Sequence, residues 1–147
     1  MTTAMLLEST RDEIIAEAAA TAGRTPHYSV VGKAETTARL DILFDTLVAA
    51  VERRDLTEVL LYARRLAAAR FAAGYDLAEV QVAINALEEA VWRRIFAAAS
   101  PAEVGESLRL ASTVLGAAKD VLAQTYVSLA SGGSQVDVAA LFAGTDS

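Results

Sequence analysis

The residues in this chain best equipped for chemistry are His27, the adjacent acids Glu88 and Glu89, the paired glycines Gly132 and Gly133, and the arginines Arg64, Arg65 and Arg70 with their neighbouring aromatics. A haem or zinc site needs histidine with partners at defined spacing. His27 is the sole histidine and lies in a stretch without other ligands, so it reads as a solvated loop residue. Glu88 and Glu89 have the type required for paired acid–base work. Neighbours on a helix point about 100° apart, however, and Arg93 is in place to pair with one of them. A phosphate loop needs its glycines between a strand and a helix, whereas Gly132-Gly133 follows a helix and reads as a linker. No catalytic residue, cofactor site or metal site is predicted.

What remains is recognition. Arginine and large aromatics are the residues that most often anchor interfaces, and Arg64, Arg65, Arg70, Tyr62, Tyr75 and Trp92 fall within thirty-odd residues of one another. Arg64, Arg65, Arg70, Tyr75 and Trp92 are therefore the candidate partner or ligand surface. Core positions flank Trp92, so packing competes as its role. Arg70 lies near the edge of a buried helix face, a place from which it can tie its own helix to Glu88 or to the acidic start of the next.

The elements that must hold these residues are helices. Apolar residues make up 54% of 147 positions with only two prolines, which argues against disorder and fits a single domain. Ala, Leu, Glu and Arg dominate over strand formers. The mean hydropathy of +0.34 raises the question of a membrane, but no window of about 18 residues is free of charge and apolar throughout. The opening Met1 to Glu8 lacks a basic segment and does not resemble a secretion signal. Zero cysteines exclude disulfides and thiolate chemistry. A net charge of −6 argues against nucleic-acid binding. It is unevenly spread: seven arginines face six acids between Arg53 and Arg94, and the remaining six bases face thirteen acids. The expectation is a soluble, cytoplasmic chain with neither membrane nor nucleic acid among its partners.

Periodicity predicts an all-α bundle of about five helices with a long C-terminal helix. The first spans about Thr3–Ala22 with Met5, Leu6, Ile14 and Ile15 inward, and stops at Gly23. An irregular segment covers 24–34, lying against the bundle through Tyr28, Val30 and Val31. The second helix spans about Glu35–Arg53. The third spans Leu56–Ala73, capped by Asp55 and ended by Gly74. The fourth spans Leu77–Ala99, where Asp76 and Glu79 have capping-box spacing. Ser100-Pro101-Ala102-Glu103 has the same signature and opens the last helix, to about Ala130. The third and fourth helices outline a helix-turn-helix, but the second of them begins with acids where DNA would be met. Residues 1–130 are the domain and 131–147 a flexible tail, with one loose turn over 136–142.

In the last helix Val104, Leu108, Ala111, Leu115, Ala118, Leu122, Thr125 and Leu129 alternate steps of four and three, a heptad seam. A second apolar row, Leu110, Val114, Ala117 and Val121, adjoins it. One row can pack on the bundle and the other on a second protomer, so Leu108, Leu115, Leu122 and Leu129 are the candidate dimer or output positions; a single wide core face is the competing reading.

Three segments carry a family resemblance: Leu6-Leu7-Glu8 through Arg11-Asp12-Glu13-Ile14-Ile15, Ala72-Ala73-Gly74-Tyr75-Asp76-Leu77-Ala78-Glu79-Val80, and Ala90-Val91-Trp92-Arg93-Arg94-Ile95. Together they resemble the N-terminal domain of RsbRD-type RsbT co-antagonist proteins, over about residues 5–130. The resemblance implies a helical sensory or regulatory domain of bacterial stress signalling, related to the stressosome, without catalytic residues. Similar helical modules also head some PucR-type transcription regulators. In co-antagonists such a domain precedes a STAS domain that engages a switch kinase. The residues to Ser147 include neither a STAS domain nor an effector helix-turn-helix, and a STAS-domain protein or the kinase is the partner class implied. The expected function is a non-catalytic, homodimeric regulator that works by shifting helix packing; the alternative is a bundle with a cavity for a small apolar ligand between its second, third and fourth helices.

Overall fold

A computed structural model of the chain describes residues 1–132. Those residues form seven helices and no strand: α1 (Thr3–Ser9), α2 (Arg11–Ala22), α3 (Pro26–Val31), α4 (Lys33–Arg53), α5 (Thr57–Ala72), α6 (Leu77–Ala98) and α7 (Val104–Ala130). The all-α bundle with a long last helix is as expected. Beyond Ser131 and Gly132, the tail and the turn expected over 136–142 lie outside the described residues.

Two local causes turn five expected helices into seven. At the first, the Ser9 hydroxyl donates to the Leu6 carbonyl at 2.8 Å, and the Thr10 hydroxyl reaches the Leu6 and Leu7 carbonyls at 3.2 and 3.3 Å. Such back-bonding competes with the helical ladder and bends it, so α1 stops at Ser9 and α2 restarts at Arg11. The break turns Met5, expected inside, out to solvent. At the second, the segment expected to be irregular contains α3. Pro26 occupies the first turn and Gly32, at φ +91°, ends the helix, which is the proline-in, glycine-out asymmetry of helix ends. Six residues are too few for a helical period to show. Tyr28 is buried as expected, but Val30 is fully exposed and Val31 partly so.

The other boundaries follow their caps. Asp55 accepts from the Thr57 backbone and hydroxyl at the start of α5. Tyr75 N–H bonds the Arg70 carbonyl past Gly74, which sits at φ +85°. This is a Schellman ending, in which the left-handed residue is best a glycine. Asp76 and Glu79 form the capping box of α6. The matching signature at Ser100 behaves differently: its hydroxyl bonds the Glu103 carboxylate at 2.7 Å rather than a backbone N–H, residues 101–103 make a turn, and α7 begins at Val104.

Side-chain links fix the helix directions. Arg54 at the end of α4 meets Glu106 at the start of α7, Phe71 at the end of α5 meets Tyr126 near the end of α7, and Trp92 and Glu88 of α6 meet Ser112 and Lys119 of α7. Thus α5 runs parallel to α7, while α4 and α6 run antiparallel to it. The largest packing surfaces join α5 to α7 and α2 to α6. Between them lies one core with Leu7, Ile14, Phe44, Leu87, Leu115 and Leu122 fully buried.

Helix α7 is unbroken over 27 residues, roughly 40 Å at 1.5 Å per residue. Ala111, Leu115, Ala118 and Leu122 of the seam are buried, but the next buried residue is Tyr126 rather than Thr125. A straight helix drifts about 20° per heptad, and that drift carries Thr125 off the contact line and Tyr126 onto it. Val114 of the second row is buried as well. Both rows therefore serve the chain's own core, against α5, α6 and α4. The outer face of α7, including Glu106, Arg109, Thr113, Asp120, Gln124 and Val127, is exposed.

Candidate functional site: the Tyr75 cluster

At one end of the bundle, five helices converge on Tyr75, which is itself buried in the α5–α6 turn. His27 of α3 stacks on its ring at 4.6 Å between centroids, and Tyr28 meets it edge-on at 5.1 Å. The Arg70 and Arg39 guanidiniums lie 5.5 and 5.9 Å from the ring centroid, within range of cation–π attraction. Arg39 also donates to the Tyr75 hydroxyl at 2.7 Å. From α7, the Tyr126 hydroxyl donates to the Tyr75 carbonyl at 3.1 Å. The packing is local in cause: the left-handed turn at Gly74 swings the chain back so that residue 75 points inward, and a side chain at 74 would face the His27 ring.

Glu79 joins this turn to α3. Its carboxylate accepts from the His27 backbone N–H at 2.8 Å, from His27 Nδ1 at 2.6 Å, and from the Asp76 N–H at 3.2 Å. Because a carboxylate only accepts, Nδ1 carries the proton. Burial works to raise the Glu79 pKa, but the His27 and Asp76 hydrogen bonds outweigh it and hold the carboxyl below its ordinary value. Burial pushes the Tyr62 and Tyr126 hydroxyls up to about 12, so both are protonated donors at neutral pH. Burial likewise opposes the charge on Arg39, and its bonds to Tyr75 and Glu35 more than restore it. The arrangement is a rigid polar and aromatic junction. It has no nucleophile beside a base, and no group of His, Cys, Asp or Glu among the described residues is placed to hold a metal ion.

The structure sorts the candidate residues into three places. Arg70 and Tyr75 belong to the cluster. Arg70 reaches Tyr28, with its Nε donating to the Tyr28 hydroxyl at 3.4 Å, not Glu88 as one alternative held. Arg64 and Arg65 are exposed on α5 with no ion-pair partner among the described residues. Trp92 is 36% exposed at the α6–α7 edge, where its indole N–H donates to Ser112 Oγ at 3.1 Å; it is a rim residue rather than core. On α7, Leu115 and Leu122 are fully buried and Leu108 and Leu129 partly so. Glu88, expected on the surface, is buried against Lys119 at 2.8 Å, whereas Glu89 pairs loosely with Arg93 at 3.9 Å.

Sequence reasoning missed Tyr28, Arg39, Glu79 and His27 as members of one site. His27 is a helix residue that Glu79 and Tyr75 hold in place, with its side chain still 40% exposed. Two signals were present: the Pro26 start before His27 and Tyr28, and an acid at position 79 that a capping box makes point backward. Nothing local links Arg39 to Tyr75.

Two spaces accompany these residues. Between α4, α5 and α6, where a ligand cavity was the alternative expectation, the void is about 20 Å³, walled mostly by Leu40, Leu43, Leu66, Val80, Ala83 and Ile84 with Tyr28, Arg39, Tyr62 and Arg70 beside them, roughly one water. At the opposite end, α1, α4 and α7 border a groove of about 660 Å³ with Met5, Val48, Val51 and Leu110 on its walls and Glu8, Glu52, Glu103, Glu106 and Arg54 around it.

No helix among the described residues is long and apolar enough to cross a membrane. No curated protein and no solved structure matches the chain. The sequence model of the RsbT co-antagonist protein rsbRD N-terminal domain matches residues 5–131, which is most of the chain. The chain belongs to this family of regulatory domains, as the three segments around Leu6, Tyr75 and Trp92 led us to expect.

Proposed function

We propose that this member of the rsbRD N-terminal family is a non-catalytic regulatory module of bacterial stress or transcriptional signalling. It works in the cytoplasm through protein–protein contacts, with a STAS-domain protein or a switch kinase as its partner class. The observation that carries the mechanism is that Tyr75 binds α3, α4, α5 and the α6 turn to the last turns of α7. A signal that moves any one of these helices must either break the cluster or shift α7. A packing switch needs an element that couples several helices to its output, and on this reading the cluster is that coupling.

The module works as a homodimer, with α7 as contact and output helix. Leu115 and Leu122 are consumed by the core, so the contact falls to the residues left outside, Leu129 and the exposed Val127 among them. Light scattering after size-exclusion chromatography at tens of micromolar is expected to give twice the 15.5 kDa chain mass. Val127→Glu with Leu129→Glu is expected to halve it; a monomeric parent chain removes α7 as a dimer element. Glutamate at 115 or 122 is unsuitable, because it would unfold the protein rather than dissociate it.

Binding of a small apolar ligand is the second reading. Its support is the groove bordered by α1, α4 and α7, whose volume lies within the range of drug-sized sites. A thermal-shift series with small apolar compounds tests it, and a flat series against the whole chain removes it.

A further inference from the structure

The groove bordered by α1, α4 and α7 is apolar within and unevenly charged around its mouth. Val48 and Val51 of α4 and the half-buried Leu110 of α7 form inner walls, and Met5 of α1 stands beside them more than half exposed. A methionine left in water at such a place is an unbranched, polarizable side chain that adapts its shape to what enters. The charged groups around the groove are Glu8, Glu52, Glu103 and Glu106 against Arg54 and the Met1 ammonium. Two of the four acids are already neutralised: Glu8 accepts through both oxygens from Arg11, and Glu106 accepts from Arg54 at 2.7 Å. Glu103 takes the Ser100 hydroxyl at 2.7 Å and meets the Met1 ammonium only at 4.0 Å, the outer limit of an ion pair. Glu52, exposed near the end of α4, has no ion-pair partner among the described residues. The mouth therefore keeps a surplus of negative charge, since its one arginine is spent on Glu106.

We infer that this groove binds a small amphiphilic cation, an amine carrying an apolar body. A volume of about 660 Å³ accommodates the body within the size range of small-molecule sites. Burial of that body against valine, leucine and methionine supplies the affinity, and the ammonium stays in the wetted mouth among the carboxylates. The head needs no fixed ion pair there: the sign of the field around the mouth selects it, favouring a cation over a neutral head and opposing an anionic one. Both free carboxylates are open to water, so this selection is modest and weakens with salt. A bound body touches α1, α4 and the first turns of α7 together, which gives the ligand a direct hold on the helix assigned to output. The inference rests on the apolar-ligand reading of the same groove and names the ligand class, because the body must enter before the sign of its head can matter.

The test titrates the full chain with octylammonium chloride, octanol and sodium octanoate, three heads on one body. Met1 and Met5 are the only methionines and both line the groove, so ¹³C-methyl spectra of methionine-labelled protein report the site directly. Their signals should move saturably, with octylammonium binding about fivefold tighter than octanol at low salt and octanoate weaker than either. The preference should fade in about 0.3 M sodium chloride. Glu52→Gln with Glu103→Gln should bring the amine to the affinity of the alcohol, while the unchanged octanol titration shows that the groove is intact. Equal affinity of the amine and octanoate at low salt, or a preference for the amine that survives the double substitution, overturns the inference. Octanol binding without any preference among heads overturns it and leaves the apolar-ligand reading standing, whereas methionine signals unmoved by all three compounds remove both.

Discussion

The two ends of this bundle solve opposite problems. At one end Tyr75 is enclosed by His27, Tyr28, Arg39, Arg70 and Tyr126, and the space left over is about 20 Å³. At the other, α1, α4 and α7 splay around about 660 Å³, and the charged links there, Arg54–Glu106 and Met1–Glu103, are largely exposed. The larger space is the less specified one. Its polar groups are screened by water, whereas the Tyr75 end aims desolvated donors at fixed acceptors. Volume alone would have chosen the wrong end as the place where several helices are held in register.

The sharpest way to break this contrast is Tyr75→Ala against Leu110→Ala. Removing the Tyr75 ring takes away a buried aromatic and the acceptor for Arg39, at an expected cost of about 3–5 kcal/mol in urea unfolding. Leu110 is only half-buried on the groove wall, and its truncation should cost about 1 kcal/mol or less. Equal costs would erase the distinction between the ends.

Glu79→Gln comes next. It leaves a capping side chain but weakens bonds to His27 and Asp76, and should cost about 1–3 kcal/mol. The sign with pH follows from the lowered folded-state pKa. Below the ordinary carboxyl value of 4.5 the unfolded chain binds the proton more readily than the folded one. The stabilisation is therefore present above that pH and is lost as pH falls through the folded value. Glu8, Asp55 and Glu106 are shifted the same way, so the informative quantity is the difference between parent and variant. The gap in urea midpoint should narrow from pH 6 to pH 3.5, and a constant gap would assign Glu79 a purely steric role.

Gly74→Ala forces an L side chain into φ +85° and should cost roughly 1–2 kcal/mol. The smallest effect belongs to the open end. Arg54→Gln breaks only an exposed pair, with an expected change within about 0.5 kcal/mol that fades further in high salt. A larger loss would mean that the groove is a constructed feature.

The sequence made the helices legible where caps and periodicity agreed, as at Asp76–Glu79 and along Ala111, Leu115, Ala118 and Leu122. It failed at Thr10 and Pro26, where a hydroxyl bond and a six-residue helix leave no periodic trace. Of the site, Arg70 and Tyr75 were visible as residue types near a glycine turn. Arg39 and His27 were not, because their partners lie 36 and 52 residues away and no local pattern encodes such a meeting. Arg64 and Arg65 had the same composition signal as Arg70 and differ only in facing water.

Trp92 gives the molecule a built-in optical gauge. As the sole tryptophan, its indole straddles the crevice between α6 and α7 through the Ser112 bond, partly wetted. Any sliding of the last helix against its neighbour must change the polarity around that ring, so the colour of its emission reads the movement directly, with no dye attached.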